Sequence, residues 1–233
     1  MKIYRNDKLI QRNSRLGAII TLTSLATLGS GLYISFVKPE LFNYAVVALL
    51  VGFILSQAGI YLTNRWGRKP RIDEILDQAL KGLDAKYTLY HYLLPAAHVL
   101  IGPAGIWVFN LKHQRGTIKY YKNRWRQKGG GLIYAYLKIF AQEGIGRPDL
   151  EIESDIDALE KHLKKQLPDL TLPPIQAALV FFNPEAVLEA DDAPNPTLYI
   201  RQLKEFIRKQ AKAKPVSMAT IQTIQNALEQ PTQ

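Results

Sequence analysis

There is no cysteine among the 233 residues. Disulfides, thiolate metal sites and cysteine nucleophiles are therefore excluded, and a reducing compartment is compatible with the chain. Histidine is scarce. His91, His98, His113 and His162 share no His-x-x-x-His spacing, so no zinc site is expected. No serine nucleophile elbow, P-loop or Rossmann glycine pattern occurs, and Gly129-Gly130-Gly131 lacks the Lys-Ser/Thr that a phosphate loop needs. Negative charge is in short supply: 20 Asp and Glu face 30 Lys and Arg, for a formal charge of +10. That excess points to an anionic partner, either nucleic acid or lipid headgroups.

Charge is missing altogether from two long stretches, Leu16 to Val37 and Leu41 to Asn64. Each has roughly 22 residues, about 33 Å as a helix, enough to cross a bilayer core of about 30 Å. A backbone in lipid must satisfy its own hydrogen bonds, so each run is expected as a helix. Only Lys38, Pro39 and Glu40 part them, which forces an antiparallel hairpin. Small and hydroxyl residues in the first run (Gly17, Ser24, Thr27, Gly29, Ser30, Gly31) suit close packing on the second. Lys2, Arg5, Lys8, Arg12 and Arg15 precede the first run, and Arg65, Arg68, Lys69 and Arg71 follow the second. The positive-inside rule then puts both termini and the soluble part in the cytoplasm. The expected organisation is a basic N-terminus at 1–15, a transmembrane hairpin at 16–64, a juxtamembrane linker at 65–70 and a soluble domain at 71–233.

In the soluble part, apolar residues at Ile72, Ile75, Leu76, Ala79, Leu80 and Leu83 have helical spacing. Three strand-like runs follow, "YTLYHYLLP", "AHVLIGP" and "GIWVFNLKH", with a tight turn at Gly102–Gly105. "TIKYYKNRWRQK" predicts a hairpin turning near Lys122-Asn123. "GGGLIYAYLKIFAQEG" fits a helix or a loop leading into one. "LEIESDIDALEKHLKKQL" predicts an amphipathic helix and "IQAALVFFNP" a buried strand. "TLYIRQLKEFIRKQ" and "SMATIQTIQNALEQ" predict helices, and "DDAPNP" a surface loop. This order argues for an α+β fold, a mixed sheet covered by helices.

One strand carries the chemistry. In "GPAGIWVFNLKHQRG" the polar Asn110 and Lys112 end an apolar run, and positions i and i+2 of a strand share a face. The order of elements, with "HVLIGPAGIWVFNLKHQRGTI" as its most specific piece, resembles the nuclease-related domain (NERD) family over roughly Arg71 to Glu229. The resemblance implies a restriction-endonuclease-like αβββαβ core and a bacterial inner (plasma) membrane setting. It also implies a metal site built from an acidic residue and an acidic-x-lysine pair. There a divalent ion would polarise a phosphodiester and activate water, and the lysine would stabilise developing charge. The pattern is broken in this chain. Ala96-Ala97-His98 stands where the family has Ile-Asp-His, and Asn110-Leu111-Lys112 where it has Glu-x-Lys. Arg147-Pro148-Asp149-Leu150-Glu151 stands where the family has Asn-Pro-x-x-Gln. Lys112, Asn110 and His98 are therefore the expected remains of a site.

The leading expectation is a catalytically degenerate, membrane-tethered binding module with no cofactor, whose ligand is DNA or RNA. In "KYYKNRWRQK", Lys119, Lys122, Arg124, Arg126 and Lys128 interleave with Tyr120, Tyr121 and Trp125. Cations can take phosphates and aromatics can stack bases. Trp125 equally suits packing. The second expectation is a residual Mg²⁺-dependent nuclease using Lys112 with relocated carboxylates from Asp73, Glu74 or Glu151. The third is a scaffold subunit of a membrane complex, its basic flank against lipid headgroups.

Overall fold

The computed structural model describes residues 1–129 and 144–229, which fall into two compact units. The first is a helical hairpin. α1 (Asp7–Val37) and α2 (Phe42–Leu62) are joined by Lys38 and a 3₁₀ turn at Pro39–Leu41. Both helices are long and apolar enough to cross a membrane. Their buried positions recur every seven residues, Gly17, Ser24 and Gly31 on α1 against Ala45, Gly52 and Gly59 on α2. A seven-residue repeat keeps one seam facing the partner helix, and small residues let the backbones approach. A Cβ on Gly59 would lie 2.6 Å from Thr21 Oγ1, and one on Gly52 2.7 Å from Leu28 Cγ. The hydroxyls of Thr21, Ser24 and Ser56 donate to carbonyls of their own helices, so they leave no unmet polar group in an apolar setting. Outward stand Leu22, Leu25, Phe36 and Ile54. The stretch expected as a linker begins with a π-helical turn at Thr63–Gly67 that prolongs α2.

The second unit is an α+β domain, and it includes the first six residues. β1 (Lys2–Arg5) opens a six-stranded sheet that continues with β2 (Thr88–His91), β3 (His98–Gly102) and β4 (Gly105–Lys112). β7 (Ile175–Phe181) and β9 (Thr197–Tyr199) complete it, in the order β1-β2-β3-β4-β7-β9. β2, β3 and β4 form an antiparallel meander, while β1 runs parallel to β2, β7 to β4 and β9 to β7. Helices cover both faces, which is why β4 and β7 are apolar on successive residues rather than alternate ones. Ile106, Val108, Ala177, Leu179 and Phe181 pack with α4 (Pro148–Gln166) and α6 (Met218–Glu229). Trp107, Phe109, Ala178 and Val180 pack with α3 (Ile72–Leu80) and α5 (Leu203–Ala213).

A second sheet of three strands, β6-β5-β8, is built from β5 (Gly116–Tyr121), β6 (Arg124–Lys128) and β8 (Ala186–Glu189). The β5–β6 connection is the two-residue turn Lys122-Asn123 with φ of 50° and 56°. Positive φ at both positions is what a tight hairpin matching the strand twist requires.

Three strands depart from the sequence expectation. β1 was expected as a basic flank, and its four residues are too few to show a period. Thr197–Tyr199 was expected as helix, yet it pairs with Leu179–Phe181, and α5 begins only at Leu203. β8 follows Pro184 and is recruited by pairing with β5. Most of "GGGLIYAYLKIFAQEG", residues 130–143, lies outside the described residues.

Candidate functional site

β4 delivers Asn110 and Lys112 to the face that α4 covers, because they alternate with Leu111 and continue the Ile106–Val108 row. α4 starts at Pro148, whose missing N–H costs nothing at the first helical position. Its first turn carries Asp149 and Glu151, acids that complement the positive end of the helix dipole. Glu151 reaches back to the strand, and its Oε2 accepts from Asn110 Nδ2 at 3.0 Å and from Lys112 Nζ at 2.7 Å. The Lys112 side chain is 12% exposed and that of Glu151 47%, so the pair lies at the rim. Beside it, Arg147 grips Asp149 with Nε and Nη2 at 3.1 and 2.8 Å. That hydrogen bond holds the Asp149 carboxyl below the usual carboxylate range.

These residues do not fit a divalent metal. Mg²⁺ favours hard carboxylate oxygens in near-octahedral array. Here one carboxylate, Glu151, already shares an oxygen between an ammonium and an amide. Position 97 is alanine. Among the described residues no group of three or more His, Asp or Glu side chains is placed to hold a metal ion.

Asp73 and His98 belong to a different constellation. Asp73 is fully buried on α3, and Arg5 Nε lies 2.8 Å from its Oδ2. Arg5 also pairs with Asp77, one turn further along. Asp77 Oδ1 is 2.9 Å from His91 Nε2, and His91 Nδ1 is 2.8 Å from His98 Nδ1. A carboxylate only accepts, so Nε2 of His91 carries its proton; in the neutral ring Nδ1 then accepts from His98. Arg5, from the strand that precedes α1, thus ties β1 to α3 and to the β2–β3 pair. Glu74 is half-buried on the same helix. From the sequence Arg5 was read only as part of the basic flank and His91 only as a histidine without a zinc spacing, and Asp77 was not singled out. The one available signal was an acid at position 73 on the buried face of α3, beside Leu76 and Leu80, which needs a cation partner.

The basic hairpin divides by face. Ile118 and Trp125 are buried and Tyr120 packs against them. On the other face the register aligns Lys119 with Arg126 and Glu189, and Tyr121 with Arg124. Arg124, Arg126 and Lys128 are exposed, and Tyr121 is 56% exposed with Lys122 Nζ 5.3 Å from its ring centroid. Lys119 pairs with Glu189. Trp125, expected as a base-stacking candidate, is a core residue instead, because alternation turns it inward with Ile118.

A family described as "nuclease-related domain" matches residues 71–182, which span α3 to β7 and end short of Glu229. No curated protein and no solved structure matches the chain. Residues 71–182 are thus the part of the chain that matches the nuclease-related domain, NERD.

Proposed function

We propose that this protein is a membrane-anchored nuclease-related protein that has lost metal-dependent cleavage and binds nucleic acid at the cytoplasmic face of the membrane. The succession α3-β2-β3-β4-α4-β7, with β7 parallel to β4, supports a restriction-endonuclease-like core. At its expected centre the resemblance calls for a carboxylate on the strand and an amide on the helix, whereas this chain has Asn110 and Glu151. The remaining carboxylate neutralises Lys112 instead of awaiting a metal. Connectivity supports the topology. β1 precedes α1 and pairs with β2, which follows α2. For a hairpin that crosses the bilayer, this pairing supports both ends lying on one side, and the basic flanks support the cytoplasmic side.

The observation that carries the binding reading is the exposed row Arg124, Arg126 and Lys128, which has no carboxylate partner among the described residues. Alternate residues of a strand are about 6.8 Å apart, a step suited to successive backbone phosphates. Arginine adds a planar fork for phosphate oxygens, and Tyr121 offers a ring for stacking. The test uses the full-length protein in neutral-lipid nanodiscs, incubated with labelled oligonucleotide and, separately, with plasmid and Mg²⁺ or Mn²⁺. Retarded oligonucleotide with intact plasmid is expected, and no binding at low salt refutes the reading.

A second reading, a residual nuclease, draws on the contact of Glu151 with Lys112. Metal-dependent plasmid cleavage that disappears in Lys112→Ala would establish it.

A further inference from the structure

The basic hairpin is not the domain's only cationic surface. α5 turns Leu203 and Ile207 onto the sheet face of Trp107 and Phe109, whereas Ile118 and Trp125 belong to the cluster on the opposite face. Outward, α5 shows Lys204, Arg208 and Lys212 at i, i+4 and i+8, flanked by exposed Lys209 and Lys214. The turn after α3 joins this surface. Lys204 Nζ donates to the Lys81 carbonyl at 3.4 Å and Arg208 Nη2 to the Gly82 carbonyl at 3.1 Å. Exposed Lys81 is thereby brought to the same side.

Little negative charge offsets them. Glu205 pairs with Arg208 at 2.7 Å, and Asp84 Oδ1 accepts the backbone N–H of Lys86. Lys209, Lys212 and Lys214 have no carboxylate partner among the described residues. The chemistry differs from that of the β5–β6 face: lysine dominates, and the one aromatic ring of α5, Phe206, packs edge-on against Trp107. Lysine is a mobile point charge that suits phosphates without reading bases. A carboxylate-rich peptide would favour guanidinium forks, and the single arginine of α5 is already engaged with Glu205 and Gly82.

We propose that the outer face of α5 and the adjoining turn at 81–82 form a second, sequence-independent contact for a nucleic-acid backbone. It rests on the reading that the β5–β6 face binds nucleic acid. Because the two surfaces lie on opposite faces of the main sheet, one domain would hold two segments at once.

The test is energy transfer between two duplexes, one carrying a donor dye and one an acceptor, added to the full-length protein at one copy per neutral-lipid nanodisc. Wild type should give transfer. The triple variant Lys209→Gln/Lys212→Gln/Lys214→Gln alters only side chains with no hydrogen-bond partner among the described residues. It should lose transfer while still retarding a single duplex. Transfer unchanged in that variant overturns the inference, as does wild-type binding of one duplex without transfer. In both cases the proposed function stands. Loss of all duplex binding by wild type overturns both. Displacement of the second duplex by polyglutamate but not by unlabelled duplex would make α5 a peptide site and also overturn the inference.

Discussion

Replacing Arg5 by alanine removes the guanidinium that lies 2.8 Å from Asp73 and also reaches Asp77. Asp73 has no exposed side-chain surface, whereas Arg5 retains 22%. Taking one partner from a buried pair costs about 3–5 kcal/mol. Arg5 lies partly in solvent, so the lower end, about 3 kcal/mol, is expected. At 1.36 kcal/mol per factor of ten, that is roughly a hundredfold shift in the opening equilibrium. The effect is local first: β1 is an edge strand held to β2 by four register pairs, with Tyr4 stacked on Tyr90 at 5.6 Å. Hydrogen exchange on the full-length protein in nanodiscs is the assay. The β1 and β2 amides should lose about two decades of protection in Arg5→Ala, while α4 loses less. Arg5→Lys should fall between, since an ammonium cannot fork onto two carboxylates. Asp73→Asn should recover part of the loss in the Arg5→Ala background, because the buried charge that Arg5 offsets is gone. Unchanged exchange in Arg5→Ala, or losses that simply add in the double variant, would refute the account of this network.

The remaining predictions test other parts of the fold. Gly59→Leu should destabilise the α1–α2 hairpin by about 1–3 kcal/mol or more, the range for overpacking, because its Cβ would lie 2.6 Å from Thr21 Oγ1. Gly29→Leu, whose Cβ meets nothing within 4 Å, is the control, and steric-trap unfolding would compare them. Asp149 has its folded pKa depressed by Arg147. Its stabilising contribution is therefore present above its unfolded value near 3.9 and lost as pH falls through the folded value. Carboxyl NMR titration should find Asp149 below the ordinary range and nearer to it in Arg147→Gln. Trp125→Ala should cost about 3–5 kcal/mol as a core truncation, read by chemical denaturation, whereas Tyr121→Ala should leave stability unchanged and weaken oligonucleotide binding.

Much of this architecture is legible in the sequence, because hydrophobic period and chain breakers act locally. The uncharged runs announced α1 and α2, Gly102–Gly105 announced the β3–β4 turn, and Lys122-Asn123 the β5–β6 turn. The meeting of Asn110, Lys112 and Glu151 was anticipated only as one of several relocated carboxylates. Asp73, offered for the same role, is buried against Arg5 instead. β1 was illegible for a physical reason: its pairing partner β2 lies more than eighty residues away in sequence, across the whole hairpin. Nothing local distinguishes Lys-Ile-Tyr-Arg from a basic flank. β8 and β9 are similarly short and become strands only through β5 and β7. Trp125 shows that alternation, not composition, decides which members of a basic-aromatic run face solvent.

The central claim is that the nuclease-related domain holds nucleic acid through Arg124, Arg126 and Lys128 without cutting it. The most direct measurement is the salt dependence of oligonucleotide affinity for the full-length protein in neutral-lipid nanodiscs. Each phosphate neutralised contributes about 0.9 to the log–log slope for a duplex. Arg124→Gln/Arg126→Gln/Lys128→Gln should therefore flatten the wild-type slope by about 2.7, with the oligonucleotide recovered intact. A slope unchanged by the triple variant, or cleaved product in the wild-type lane, would contradict the account.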